Sequence, residues 1–192
     1  GHSDQVWALA YSPDGSSIAT AHVNGAVRLW RASDGRWLRD CAGHKNAAQA
    51  IAFSPDGTIL VSGDCSSIKL WRVSDASLLR TLEGGAYSMA VSPDGRYLVS
   101  AYMSVNLWDI GDGSLVRSTW PMGGSASAVA FSPDGTLALV GLTGGSAMLW
   151  RIGNGDWAGA FAAGGSVLSV AFSPDGTQAI TGRSEERRGG KE

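Results

Sequence analysis

Apolar residues along this chain come in bursts of four to six, separated by small polar clusters. VWALAY, AIAFS and SVAFS each lead into the tetrapeptide SPDG, and SSIATA, TILVSG and TLALVG follow it. These runs are rich in β-branched and aromatic side chains and read as strands, with SPDG as the tight turn joining two of them. Proline fixes φ at about −65° in the second position of that turn, aspartate favours the third, and glycine tolerates the positive φ that follows. A third run ends at Leu-Trp. A polar turn (residues 33–35, 74–75, 111–113 and 153–155) then leads into a fourth: RWLRDC, SLLRTL, SLVRSTW and DWAGAF. Each unit is therefore predicted to be four antiparallel strands, a to d. No segment of ten or more residues carries a 3.6 period free of Gly and Pro, so no helix is expected.

The unit repeats. SPDG stands at residues 12–15, 54–57, 92–95, 132–135 and 173–176, at offsets of 42, 38, 40 and 41, and Leu-Trp ends at Trp30, Trp71, Trp108 and Trp150. Two independent marks on one period make a tandem array. Several strands are apolar on both faces, so each small sheet needs cover on both sides, and neighbouring copies can supply it. Four-stranded sheets stacked face to face at this period form a β-propeller. The expected fold is all-β, a β-propeller of four-stranded antiparallel blades over residues 1–182. Its repeats fall at about 1–42, 43–83, 84–122, 123–163 and 164–182, the last incomplete: an open arc of about 4.5 blades with two uncovered faces.

These marks resemble the WD-repeat propellers, which carry Gly-His near the start of a repeat, an SPDG-like turn between strands a and b, and a Trp ending strand c. Gly1-His2 and Gly43-His44 match the first mark, and Trp108 is even followed by Asp109. The resemblance implies that the His bonds to a Ser or Thr on strand b, an Asp in the b–c turn and the strand-c Trp. In the first unit these would be His2, Thr20, Asn24 in place of Asp, and Trp30. The second offers His44, Ser62, Trp71 and Asp64, in a turn one residue short. Units three to five have Gly-Gly (84–85, 123–124, 164–165) where the His belongs. They must rely on packing and backbone ladders, and are expected to be the least stable. Family rings usually have seven blades, so the chain is expected to be a piece of a longer propeller whose remaining blades would cover its ends.

Residues 183–192, RSEERRGGKE, have no strand or helix period and read as a polar tail. Their wording is that of a translated sequencing-library adapter, to be set aside in fold reasoning. The formal net charge of −2 shows no run of one sign before this tail, which argues against a nucleic-acid surface or an anionic membrane. No stretch approaches the roughly 18 apolar residues that span a bilayer, and the expected location is the cytoplasm. Cys41 and Cys65 have no metal-finger or redox spacing and are expected to be small buried residues.

Enzyme motifs are absent from the sequence: no phosphate-binding loop, no H-E-x-x-H, no paired carboxylates outside turns. No catalytic residue, metal or cofactor is expected. His2 and His44 read as structural hydrogen-bonders and His22, near the end of strand b, as a surface residue. The strand-c tryptophans are expected in the core, and so are most of Trp37, Trp120 and Trp157 on strand d, with an outer-edge patch as the other option for these three. What remains is surface. In the family, partner contacts concentrate at the top of strand a and in the b–c turn. Carried over by position, these are Gln5, Trp7, Gln49, Tyr87, Ser127 and Leu168, with Val23, Asp64 and Thr143 in the turns. Three functions are in contention: a non-catalytic scaffold for protein or peptide partners, a regulatory propeller of a multidomain kinase or signalling NTPase, and, least favoured, a propeller enzyme.

Overall fold

The computed structural model describes residues 4–183. Among them lie eighteen strands and no helix. Blade 1 comprises β1 (Val6–Tyr11), β2 (Ser17–His22), β3 (Val27–Arg31) and β4 (Trp37–Cys41). Blade 2 comprises β5 (Ala50–Phe53), β6 (Ile59–Gly63), β7 (Ser67–Arg72) and β8 (Leu78–Glu83). Blade 3 holds β9 (Ser88–Val91), β10 (Tyr97–Ala101), β11 (Val105–Asp109) and β12 (Leu115–Thr119), and blade 4 holds β13 (Ala126–Phe131), β14 (Leu137–Leu142), β15 (Ser146–Arg151) and β16 (Trp157–Ala162). β17 (Val167–Phe172) and β18 (Ala179–Arg183) pair as the first half of a fifth. Every pairing is antiparallel between consecutive strands, and β1, β5, β9, β13 and β17 pack in succession along the inside of an open arc. Arg183, assigned above to the polar tail, is instead the last residue of β18, opposite Val167, and its guanidinium donates to Ala163 O at 3.0 Å. The rest of the tail, its reading as adapter-derived, and His2 lie outside the described residues.

The five SPDG turns are built alike. Glycine adopts φ between 70° and 75° in each, and its N–H donates to the serine carbonyl three residues back at 2.8–2.9 Å. The serine hydroxyl accepts from the N–H that opens strand b, at 2.9 Å from Ser17 in the first turn, and donates to the turn aspartate, at 2.6 Å for Ser12 and Asp14. The serine is buried in the first four copies, which makes it an architectural part and a poor target for modification. Successive turns also rest on one another: a Cβ added at Gly57, Gly95, Gly135 or Gly176 would lie 3.4–3.7 Å from Pro13, Pro55, Pro93 or Pro133 of the preceding blade.

The core is distributed between blades. One layer joins Ala19, Ala21, Val27 and Leu29 of blade 1 to Leu60 and Trp71 of blade 2. The next joins Val61, Ile68 and Leu70 of blade 2 to Leu98 and Trp108 of blade 3, and a third joins Val99, Val105 and Leu107 of blade 3 to Ala138, Val140 and Trp150 of blade 4. Each strand-c tryptophan therefore projects from its blade's leading face onto the blade before it. Trp71, Trp108 and Trp150 are buried accordingly, while Trp30, whose blade is the first of the arc, is half-buried. On that same leading face Leu9 and Tyr11 are more than 60% exposed. Polar straps reinforce the stack: Arg80 on β8 donates to Gly111 O in blade 3, and Arg117 on β12 donates to Gly153 O in blade 4 at 2.7 Å.

Strand d corrects one expectation. Trp37 and Trp120 are 56% and 68% exposed, because strand d is the outermost of each blade and the next blade covers little of it. Trp37 donates instead to Asp40 at 3.0 Å. Trp157 alone meets the core, tilted against Trp150 with ring centroids 6.3 Å apart.

The interlocking core makes the tryptophans unequal. Trp71→Ala is expected to cost about 3–5 kcal/mol in urea unfolding, the range for truncating a buried aromatic, and Trp30→Ala clearly less, since less of its ring is buried. Equal losses would contradict cores shared between blades.

Candidate interaction rim and its hydrogen-bonded brace

Blade 2 contains a continuous polar chain from strand c to the b–c turn. Trp71 Nε1–H donates to Ser62 Oγ at 2.8 Å, Ser62 Oγ lies 2.7 Å from His44 Nε2, and His44 Nδ1 lies 3.0 Å from Asp64 Oδ2. Asp64 Oδ1 closes the turn by accepting from the Ser66 and Ser67 N–H groups at 2.7 and 2.6 Å. A neutral imidazole carrying its proton on Nδ1 satisfies every member: Ser62 donates to Nε2 and Nδ1–H donates to Asp64. The complete set is here, in the unit whose b–c turn is one residue short, and the shortened turn accommodates it through Asp64.

Among the described residues, the other blades show parts of this chain. In blade 1, Trp30 donates to Thr20 Oγ1 at 2.8 Å, and Thr20 Oγ1 lies 2.9 Å from His22 Nε2. His22 is fully buried, correcting its reading as a surface residue: it ends strand b pointing to the leading face, beside Thr20. Asn24 stands outside the chain, donating to Asp4 at 2.8 Å and accepting from Ala26 N–H. Blade 3 retains the bond from Trp108 to Ser100 at 3.0 Å. Blade 4 has Val140 where the hydroxyl belongs, opposite Met148 as Ser62 is opposite Lys69, and the Trp150 indole turns to Gly155 O at 2.8 Å. The gap that His44 bridges in blade 2 is closed in blade 4 by backbone approach: a Cβ on Gly144 would overlap Gly123 O, so only glycine fits.

Ser62, His44 and Asp64 have the composition of a hydrolytic triad, but the serine cannot act as a nucleophile. Its side chain is fully buried and its oxygen is held by the Trp71 indole, leaving no face for a substrate. The trio is a brace. Burial holds the His44 imidazole below its usual pKa, against the pull of Asp64. Burial pushes the Asp64 carboxyl up, but the Ser66 and Ser67 N–H groups and His44 outweigh it and bring its pKa down to about 2.

The rim above the brace is formed where each b–c turn meets the next d–a segment. Ala48 N–H donates to His22 O at 3.0 Å and Ala86 N–H to Asp64 O at 2.9 Å. Trp7, Ser127 and Leu168 sit on bulges of β1, β13 and β17 where the register shifts, and Gln49 and Tyr87 occupy the equivalent places just before β5 and β9. A bulge re-aims a side chain out of the sheet. Trp7 and Tyr87 are 48% and 47% exposed, and Trp7, Gln49, Tyr87 and Val6 line one cavity. Gln5, Val23, Thr143 and Leu168 are also exposed, Leu168 farther round the arc. Two expected contact residues are withdrawn by the structure. Asp64 is buried in the brace, and Ser127 Oγ is engaged with Gly141 O and Val167 O, tying blade 4 to β17. Cys65, expected to be buried, is exposed in the b–c turn, whereas Cys41 is buried and its thiol pushed up to about 11 by that burial.

The brace predicts an acid sensitivity with a defined sign. The unfolded chain protonates its imidazole near the ordinary value of about 6.5 while folded His44 resists, so this contribution to stability is complete above that pH and is lost as the pH falls. Asp64 acts in the same direction, from about pH 4 down to about 2. The melting temperature of His44→Gln should lie below that of the wild type at pH 7.5, with the gap narrowing by pH 5; a gap independent of pH would refute the brace.

The family model for "WD domain, G-beta repeat" matches residues 1–31, 35–72, 76–109, 119–151 and 159–188. Angio-associated migratory cell protein of Homo sapiens is 28% identical over 159 residues, covering 80% of this chain and 36% of the relative. Nuclear distribution protein PAC1 of Arthroderma otae is 31% identical over 168 residues, with 79% and 36% covered. Apoptotic protease-activating factor 1 of Homo sapiens is 26% identical over 145 residues, 69% of this chain and 12% of that protein. The chain thus spans about a third of the length of the first two relatives, and by five successive repeat matches, strung on blades of the expected order, it belongs to the WD40 repeat family.

Proposed function

We propose that the chain is a non-catalytic scaffold that binds protein or peptide partners through the rim at the top of strand a, with Trp7, Gln49 and Tyr87 as its centre and Gln5, Val23, Thr143 and Leu168 as its periphery. WD40 repeats generally serve as protein-interaction modules. The observation that carries the reading to this surface is the half-exposure of two large aromatic residues at equivalent positions of blades 1 and 3, Trp7 on the bulge of β1 and Tyr87 just before β9. Aromatic anchors dominate interface energies, and a folded sheet has no packing reason to leave them in water. Tyr87 is held in place by an edge-on contact with Tyr102, ring centroids 4.5 Å apart, so it is presented as a rigid surface. The scaffold's other faces in the intact protein are, on this proposal, met by further blades of the same chain.

A second reading has one observation in its favour. The match to a stretch amounting to 12% of apoptotic protease-activating factor 1 places similar repeats within a much longer protein, as a regulatory propeller of a multidomain kinase or NTPase would be. A nucleotide-binding motif elsewhere in the same reading frame would favour it.

Immobilised chain and its Trp7→Ala and Tyr87→Ala variants, exposed to lysate with crosslinking, test the rim. Partners captured by the wild type should be lost from both variants while the melting temperature stays within about 1–2 °C, since surface substitutions change stability little. An unchanged partner set, or a large loss of stability, would remove the rim from the proposal.

A further inference from the structure

Strand d is the outer edge of each complete blade, so among the described residues one side of its backbone has no partner strand. Such an edge invites pairing with another chain, and charged side chains on it are a common protection. Three of the four edges have them: Arg39 and Asp40 on β4, Arg80 and Glu83 on β8, and Arg117 on β12. β16 has none. Its sequence is WAGAFA, and all of it beyond Trp157 is exposed. Where the other blades place Arg39, Arg80 and Arg117, each opposite a strand-c leucine, β16 has Gly159 opposite Leu149. Among the described residues, nothing lies within 4 Å of where a Cβ on Gly159 would stand. Two residues on, and on the same face of the sheet, Phe161 is 40% exposed. Ala163 N–H donates inward to Gly145 O at 2.8 Å, so the antiparallel alternation turns the N–H and C=O groups of Ala160 and Ala162 outward.

We infer that β16 is a self-pairing edge, through which two copies of the chain join antiparallel about a two-fold axis at Ala160 and merge their four-stranded blades into one sheet. The strand fits itself in this register. Ala160 of each copy exchanges backbone hydrogen bonds with the other, and Phe161 of each falls opposite Gly159 of the other, where facing Cβ positions stand about 4.5–5.5 Å apart. The ring then covers the space that the glycine leaves open, a pairing of aromatic and glycine that stabilises strand contacts. A two-fold axis also brings like side chains close to one another, which the charges on β4, β8 and β12 would resist and β16 does not. An uncharged strand with a ring beside a gap thus selects its own copy over an unrelated partner strand. Pairing extends the sheet sideways, so it uses neither the rim nor the faces on which further blades would stack, and it stands apart from the rim reading.

Sedimentation equilibrium of the 192-residue chain tests this. The apparent mass should climb with concentration from 19.9 kDa to twice that value and stop there, with the weak affinity of a small interface. Gly159→Arg restores the residue of the other blades, and Ala160→Pro removes an outward N–H that the fold does not use. Each should raise the dissociation constant about tenfold or more. Gly159→Arg should also keep the wild-type melting temperature, which separates lost pairing from lost folding. In hydrogen exchange the amides of Ala160 and Ala162 should become protected as the concentration rises. A chain that stays monomeric up to about 1 mM, growth beyond the dimer, a dimer that Gly159→Arg leaves intact, or β16 amides whose exchange ignores concentration would each overturn the inference. None of these outcomes bears on the rim, which stands or falls by partner capture.

Discussion

A four-stranded sheet of this sequence has two greasy faces and no helix to cover either. Leu29, Val27 and Ala19 on one face of blade 1 are out of water only because Trp71 and Leu60 of blade 2 lie over them, and the same exchange recurs between blades 2 and 3 and between blades 3 and 4. Everything else follows from that dependence: the nesting of the SPDG turns on the underside, the arginine straps at the outer edge, and the hydrogen bonds between b–c turns and d–a segments at the rim. It also explains why the first and last faces of the described arc leave large apolar side chains in water, Leu9 and Tyr11 at one end and Ile180 at the other. Hydrophobic burial here is a property of pairs of blades.

The polar brace has a different distribution from the apolar stack. Blade 2 has the whole chain of donors and acceptors, blade 3 only its serine and tryptophan, and blade 4 neither histidine nor hydroxyl. Yet blade 4 places Val140 where blade 2 places Ser62, so the loss of a hydrogen bond comes with a gain in apolar contact at the same point of the interface. A buried polar network and its apolar replacement can be close in free energy, provided no member is left half-satisfied. Array members can therefore diverge in this layer while preserving the blade geometry that presents the rim.

Turns and strand order were legible in the sequence because they depend on local chemistry: proline and glycine dihedrals at SPDG, and β-branched runs on either side. The strand-c tryptophans were legible for the same reason, being fixed in register to the turns. Side-chain roles that depend on a neighbouring blade were not. His22 and Cys65 occupy a strand end and a turn, where burial is set by the surrounding segments and not by the strand's own pattern, and they came out opposite to expectation. Trp37 and Trp120 look like core residues by composition, but nothing in their own strand reveals that strand d is the outer one and little covered. Asp64 and Ser127 were carried to the rim by position alone, and the structure engages both inside the fold.

Hydrogen exchange followed strand by strand by mass spectrometry tests the central dependence most directly. If blades are stable only when sandwiched, amides of β6, β7, β10, β11, β14 and β15 should be the slowest to exchange, and those of β17 and β18, covered on one side only, the fastest by a wide margin. Protection that is uniform along the arc, or as strong in β17 and β18 as in the inner blades, would mean that each sheet holds itself together and would contradict the account.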